Sequence, residues 1–199
     1  VVELLQRSLG DTSLAGRINI VTMNLAAAEE YTRLNQAVAL QDNEQLVAYL
    51  SVPPMAATQI VDFMGMAGIN TPNVKILFEK PFGIDLASAQ EVIARTARYY
   101  HEDQLYRIDH YLAKEMAQNL VVFRGRNALL ANIWNNNFIQ SIEVVASETI
   151  GIEGRGQFYE QTGALRDVVQ GHLMQLLAHT LMDIPHDFDW SELPQLRLK

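Results

Sequence analysis

The first hundred residues alternate between short apolar runs and longer stretches of helix-forming residues, with Gly and Pro at the joints. Few folds accept such a pattern. Residues 17–23, Arg-Ile-Asn-Ile-Val-Thr-Met, are β-branched and alternating, and predict a strand. Asn24 is placed to cap the next element, and residues 26–40, rich in Ala, Glu, Leu and Gln, predict a helix. Residues 45–50 predict a buried strand closed by Ser51-Val52-Pro53-Pro54. Residues 55–66 predict a second helix, broken by Gly68 and Pro72. Residues 74–79 form a third apolar run, ended by Pro81 and Gly83. A third helix starts near Asp85, with Leu86, Gln90, Ile93, Ala97 and Tyr100 at helical spacing. Strands that alternate with helices through short loops imply a parallel sheet, because each parallel strand needs a crossover to return the chain to its starting edge.

After about residue 109 the pattern changes. Residues 116–124 predict a helix, and residues 138–147 a strand in which Ile139, Ser141, Glu143 and Val145 alternate with Ile142, Val144 and Ala146. Residues 151–163 are Gly-rich, and Gly151 to Gly156 read as loop. A long helix is expected from about Ala164 to Leu181, and residues 185–199 read as loop. The simplest division places one segment at 1–109 and a second at 110–199.

Composition narrows the function classes. Of 199 residues, 49% are apolar and 19% charged, so a sizeable core is expected. Fifteen Lys and Arg against 23 Asp and Glu leave a net charge of −8. That disfavours a nucleic-acid partner, whose phosphates call for clustered cations. No cysteine is present, which excludes thiolate catalysis and disulfides and fits a reducing, cytoplasmic setting. No apolar run approaches the ~18 residues of a membrane span, so no membrane partner is expected. The amino terminus lacks a signal-type pattern and a Met, as a processed chain or a fragment would.

Three clusters can carry chemistry. On the long helix, steps of 100° put His172 beside Leu165 on the apolar stripe formed with Val169, Leu173, Leu176 and Thr180. It is either a core histidine bonded to a carbonyl or a general base at a cleft floor. On the same steps Asp167 falls about 140° away from His172, so a carboxylate partner must come from another element. His179 lies roughly 10 Å further along, too far for both rings to share a metal ion, and no metal site is expected.

The second cluster, from Arg107 to Glu115, stands where the sheet pattern gives way to a helix. His110 and Lys114, four apart, are expected on one helix face with Tyr111 beside them. This is either a phosphate socket or a solvated, charged helix start. The third, Glu79-Lys80-Pro81-Phe82-Gly83, comes directly after a strand. It is either a turn that presents Lys80 to a ligand or an ordinary strand end. No Gly-x-Gly-x-x-Gly string occurs, and Gly151-Ile152-Glu153-Gly154-Arg155-Gly156 has the reverse spacing.

Taken together, these strings resemble the glucose-6-phosphate dehydrogenase family. The resemblance runs through Glu79-Lys80-Pro81-Phe82-Gly83, residues 102–115 with Arg107-Ile108-Asp109-His110-Tyr111-Leu112, Gln118-Asn119-Leu120, Ile133-Trp134-Asn135, Gly151 to Gly156, and Arg166 to Gln175. It covers about residues 17–185. Ala113 departs from it, standing where the family usually has Gly.

The resemblance implies a fold class of α/β: the later part of a Rossmann-type parallel-sheet domain, then the start of an α+β domain. It implies oxidation of the C1 hydroxyl of glucose 6-phosphate to the lactone, at the entry to the pentose phosphate pathway, with hydride passing to NADP or NAD. His172 would be the general base and Asp109 its carboxylate partner. His110, Tyr111 and Lys114 would hold the sugar phosphate, and Glu148 and Asp167 sugar hydroxyls. Lys80 would meet both sugar and nicotinamide, with Pro81 the family's cis proline on the cofactor side. Full-length members commonly form homodimers or homotetramers. They are much longer, so the chain is expected to be an internal fragment with negligible turnover alone. Two readings stand against this one: another NAD(P)-dependent sugar oxidoreductase, and a non-catalytic binding module.

Overall fold

The computed structural model describes residues 2–9, 12–13, 15–147, 149 and 151–198. Its backbone falls into two compact units. The first comprises Val1–Ile76 and Val92–Leu105, the second Leu77–Glu91 and Tyr106–Lys199.

Helices α1 (Val2–Leu9) and α2 (Ala28–Val38) precede strand β1 (Leu46–Leu50). Helix α3 (Pro54–Met66) leads to β2 (Val74–Phe78), and α4 (Leu86–Thr96) to β3 (Leu105–Arg107). The three strands lie in the order β1-β2-β3. Leu46 N–H donates to Asn73 O at the start of one pair, and Ile108 N–H to Phe78 O at the end of the other. Starts therefore meet starts and ends meet ends, so the ladder is parallel, as the alternating pattern requires. Strand β3 is three residues long, too short to leave a periodic signature, and the sequence pattern does not reveal it.

Pro54 opens α3 at a position whose missing N–H costs nothing there. Its buried face, Ile60, Val61 and Met64, belongs to the first unit's core with Tyr31, Val74 and Ile76. The Tyr31 and Phe63 rings lie 5.4 Å apart. Gln104 is buried among these apolar groups and is satisfied, because its amide donates to Thr71 O and Val74 O.

Some expectations in the first unit are corrected. Residues 17–23 form no strand, despite their alternation, because they make no ladder with a neighbour among the described residues. Ile20 accordingly stays 69% exposed. Asn24 does not cap α2. Its side chain accepts from Ala26 N–H in a local turn, and the capping position is Ala27.

The second unit continues with α5 (Glu115–Gly125), α6 (Ala128–Ile133) and α7 (Gly156–Ala164). A nine-residue π-helical stretch, Leu165–Leu173, comes next and runs directly into α8 (Met174–Leu181). Met174 N–H donates to Val169 O, five residues back. Apolar clusters among the described residues hold this unit. One is Val121, Met182, Phe188 and Leu196; another is Tyr111, Ala117 and Leu176, with Leu112, Val144 and Ala146 against it. Arg124 is buried as well. It donates to His179 O at 2.6 Å and to Met182 O at 2.7 Å, satisfying carbonyls at the end of α8.

Here too the structure departs from expectation. Residues 138–147 form no strand. Val144 and Ala146 are half-buried while Val145 is exposed, so the alternation is real, but no second strand supplies a ladder among the described residues. Within residues 151–156, read as loop, Glu153–Arg155 form a 3₁₀ turn that enters α7, and Gly163, at φ 70°, breaks the regularity of that helix. Residues 185–199 are not all loop, since a 3₁₀ turn, Trp190–Glu192, starts α9 (Leu193–Leu196). Among the described residues no helix is long and apolar enough to cross a membrane.

Candidate active site

The second unit gathers, within itself, most of the residues singled out from sequence. Strand β2 ends at Phe78 and the chain turns through Lys80 and Pro81, whose peptide bond is cis. The Phe78 and Phe82 rings meet edge to face at 5.1 Å, and the Arg107 guanidinium lies 4.8 Å from the Phe82 ring centre. Gly83, at φ 93°, sits so close to Ala89 that a Cβ would come within 2.5 Å of the Ala89 nitrogen. Residues 109–113 form a turn that enters α5 at Lys114. The expectation that His110 and Lys114 share a helix face is therefore corrected: both lie before the first helical residue, Glu115.

His172 lies in the π-helical stretch and is only 4% exposed. Its Nδ1 is 2.8 Å from Asp109 Oδ1, and that same oxygen accepts from Tyr111 N–H at 2.9 Å. A carboxylate accepts only, so Nδ1 carries the proton and Nε2 presents its lone pair. On that side Lys80 Nζ lies 2.7 Å from Nε2. The same ammonium is 2.9 Å from Asp167 Oδ1 and 2.8 Å from Asp167 O.

The separation of 140° between Asp167 and His172 is thus corrected, because the helix is not α there. A π-helix turns less per residue than an α-helix, so the two positions lie nearer one side than 140° implies, and both reach the one Lys80 ammonium. The broader expectation, a carboxylate supplied by another element, is met by Asp109.

Aromatic rings close the remaining sides. Tyr111 stacks on the His172 ring, with centres 4.1 Å apart and planes at 26°; His110 meets it edge-on at 4.7 Å. Lys114 Nζ stands 4.0 Å from the Tyr111 ring centre. Burial, then the Lys80 ammonium, hold the His172 imidazole below its ordinary range, and Asp109 pulls in the opposite direction. At neutral pH the imidazole is therefore neutral.

Lys80 and Pro81 also line a cavity of about 520 Å³, with Gly83, Asp85, Gln170 and Gly171 among its other walls. Glu148 lies outside the described residues. Two functional features are not apparent from sequence reasoning. One is the Lys80–Asp167 pair. The other is Gly171, where a Cβ would lie 3.0 Å from Lys80 Nζ. A glycine in a helix interior, between Gln170 and His172, is the available signal, because such a residue weakens a helix and calls for a reason.

A parallel sheet whose strands alternate with helices, and whose middle strand leads into this lysine, defines an α/β protein. Residues 7–119 match the family model for the NAD binding domain of glucose-6-phosphate dehydrogenase, and residues 121–199 the model for its C-terminal domain. The chain belongs to the glucose-6-phosphate dehydrogenase family.

Similar proteins include the glucose-6-phosphate 1-dehydrogenase of Dickeya dadantii, 34% identical over 188 residues, and that of Chlamydia muridarum, 37% identical over 199. Each alignment covers 94% of this chain, with 38% and 39% of the relative. The crystal structure of the Mycobacterium avium enzyme superposes with a TM-score of 0.83 at 34% identity, over 92% of this chain and 40% of that one. A glucose-6-phosphate dehydrogenase in complex with glucose 6-phosphate gives 0.78 at 34% identity, over 89% and 38%. The chain spans about two fifths of the length of these relatives.

Proposed function

We propose that this chain carries the acid–base centre of an enzyme that oxidises glucose 6-phosphate at C1 to the lactone, with NADP, or NAD in its place, as the hydride acceptor. The Asp109–His172–Lys80 arrangement carries this reading, because it leaves a neutral imidazole with its second nitrogen aimed at a cationic, hydroxyl-binding corner.

His172 Nε2 takes the proton of the C1 hydroxyl. As C1–O becomes C=O, the C1 hydrogen leaves with its electron pair, and a bound nicotinamide would accept it. Asp109 holds the ring in the Nδ1–H form and offsets the charge of the imidazolium. A base so placed contributes about 10²–10⁴-fold. Asp167, and Glu148 with it, orient sugar hydroxyls. His110, Tyr111 and Lys114 cluster beside the base at the 6-phosphate end, where Lys114 supplies the positive charge.

Lys80 and Pro81, lining their cavity, fit the nicotinamide end of the cofactor. No strand–Gly-x-Gly-x-x-Gly–helix turn exists in the sequence to fit its pyrophosphate. The residues up to about 109 are assigned to the cofactor domain and those after it to the substrate and dimer domain of a cytoplasmic homo-oligomer.

Calorimetric titration with glucose 6-phosphate and with glucose tests the substrate assignment. Saturable heat with the phosphorylated sugar and none with glucose is expected; equal binding of both, or of neither at millimolar ligand, overturns it. The 199 residues alone should turn over negligibly, and steady NADPH production by them would refute that expectation.

A further inference from the structure

The nitrogen assigned to take the sugar proton is already hydrogen-bonded. Lys80 Nζ sits on His172 Nε2 at 2.7 Å, Asp167 Oδ1 at 2.9 Å and Asp167 O at 2.8 Å. An ammonium has three N–H donors, and these three acceptors use them all. We propose that Lys80 is a latch on the base. Its ammonium caps Nε2 and ties it to Asp167, and a sugar opens the site by taking the ammonium's place on both residues. The proposal rests on His172 being the base, and it assigns Lys80 a role before any sugar or nicotinamide contact.

Four groups face the imidazole. Asp109 holds Nδ1, Lys80 holds Nε2, Tyr111 covers one face, and the His110 ring meets it edge-on. Asp167 reaches it only through Lys80. Asp109 favours a charged ring. Lys80 opposes one twice, by its own charge and by occupying the lone pair that a proton would need. The latch has a built seat: Gly171 offers no side chain, so Nζ approaches the helix to where a Cβ would stand 3.0 Å away. It also has somewhere to go, because Lys80 lines the cavity of about 520 Å³ with Gly83, Asp85 and Gln170.

The consequence for recognition is that one hydroxyl is not enough. A ligand that satisfies His172 alone leaves Asp167 still pairing with Lys80, whereas a sugar presenting hydroxyls to both releases the ammonium in one step. The base thus stays neutral and covered until a polyhydroxylated ligand arrives.

The test is a titration of the His172 ring nitrogens by NMR in the 199-residue chain, which needs no turnover. The wild-type midpoint should lie below the ordinary histidine value. Lys80→Met should raise it by about one pH unit, the scale of removing an adjacent charge, while Lys80→Arg, which keeps the cation, should leave it low. Gly171→Ala, which pushes Nζ off its seat, should move it the same way by less, and it serves where Lys80→Met fails to fold. A midpoint unmoved in the folded neutral variant overturns the latch.

Glucose 6-phosphate added to the wild-type chain should shift His172 Nε2 and Lys80 Nζ together. A sugar that shifts Lys114 and leaves both of those nitrogens unmoved also overturns it. Failure of the sugar to bind at all counts against the substrate assignment instead, and the Lys80→Met titration still decides the latch.

Discussion

Asp109 and His172, 63 residues apart in the chain, meet at 2.8 Å, and the carboxylate oxygen that receives the imidazole also receives the N–H of Tyr111. That second bond ties the carboxylate to the turn before α5, so the acid is oriented before it orients the base. Asp109→Asn keeps the size and an acceptor but removes the charge that offsets the imidazolium. In a protein of the relatives' length carrying these residues, kcat should fall by about 10²–10⁴-fold with little change in KM. An unchanged kcat would remove the carboxylate from the chemistry.

His172→Ala should cut kcat by a similar factor, because a general base, the role proposed for it, acts mainly in the transition state. A loss confined to KM would take His172 out of the mechanism. The variant also removes the ring stacked on Tyr111, so its fold should be checked by the same thermal unfolding used for the parent.

Strands β1 and β2 are legible because each is a short apolar run with Pro or Gly at its end, but β1 is not the buried strand expected at 45–50, since Val47 and Tyr49 face outward and are exposed. The same logic fails at 17–23 and 138–147. Alternation reports which side of a chain is wet, as Val144 and Val145 still show, but a strand also needs a partner, and that is not written in the segment itself. The site is legible only in part for a related reason. His172 lies on a visible stripe, but Lys80 and Asp109 come from distant stretches, and the family resemblance, not the spacing, brings them together. The alignment of Asp167 with His172 is illegible because a 100° step assumes an α-helix, and nothing in Leu165–Leu173 announces the wider turn.

Gly65 is the close-approach point of the first unit. A Cβ there would overlap the Tyr99 ring, which cannot retreat far with Tyr99 O accepting from Asn70 and the adjacent Tyr100 bonded to Ile69 O. Gly65→Ala should lower the unfolding free energy by about 1–3 kcal/mol, the usual cost of overpacking. Urea titration checks it, and a variant as stable as the parent would show that the contact relaxes freely.

Lys114 stands over the Tyr111 ring at the turn before α5, where the aromatic face helps to hold the cation in place for an anion. Lys114→Ala should raise KM for the phosphorylated sugar and leave activity on free glucose nearly unchanged. Equal losses on both sugars would count against its phosphate role.

Acid should weaken the fold through two buried histidines. Burial, and then Lys80, hold His172 below its ordinary range; burial, and then Arg197, do the same for His179, while Asp109 opposes both. Among the described residues, His179 Nδ1 is buried without a hydrogen-bond partner, so protonating it gains no hydrogen bond there. Unfolded histidine titrates near ~6.5. Above that value both states are neutral and the stability is fully present. As pH falls, the unfolded chain takes up protons that the folded chain refuses, and stability drops until the folded values are passed. Urea midpoints should therefore be lower at pH 5.5 than at pH 7.5, a window in which most carboxylates stay ionised. His179→Leu should flatten part of that slope. A midpoint independent of pH across the window would mean that these rings take up protons as readily folded as unfolded.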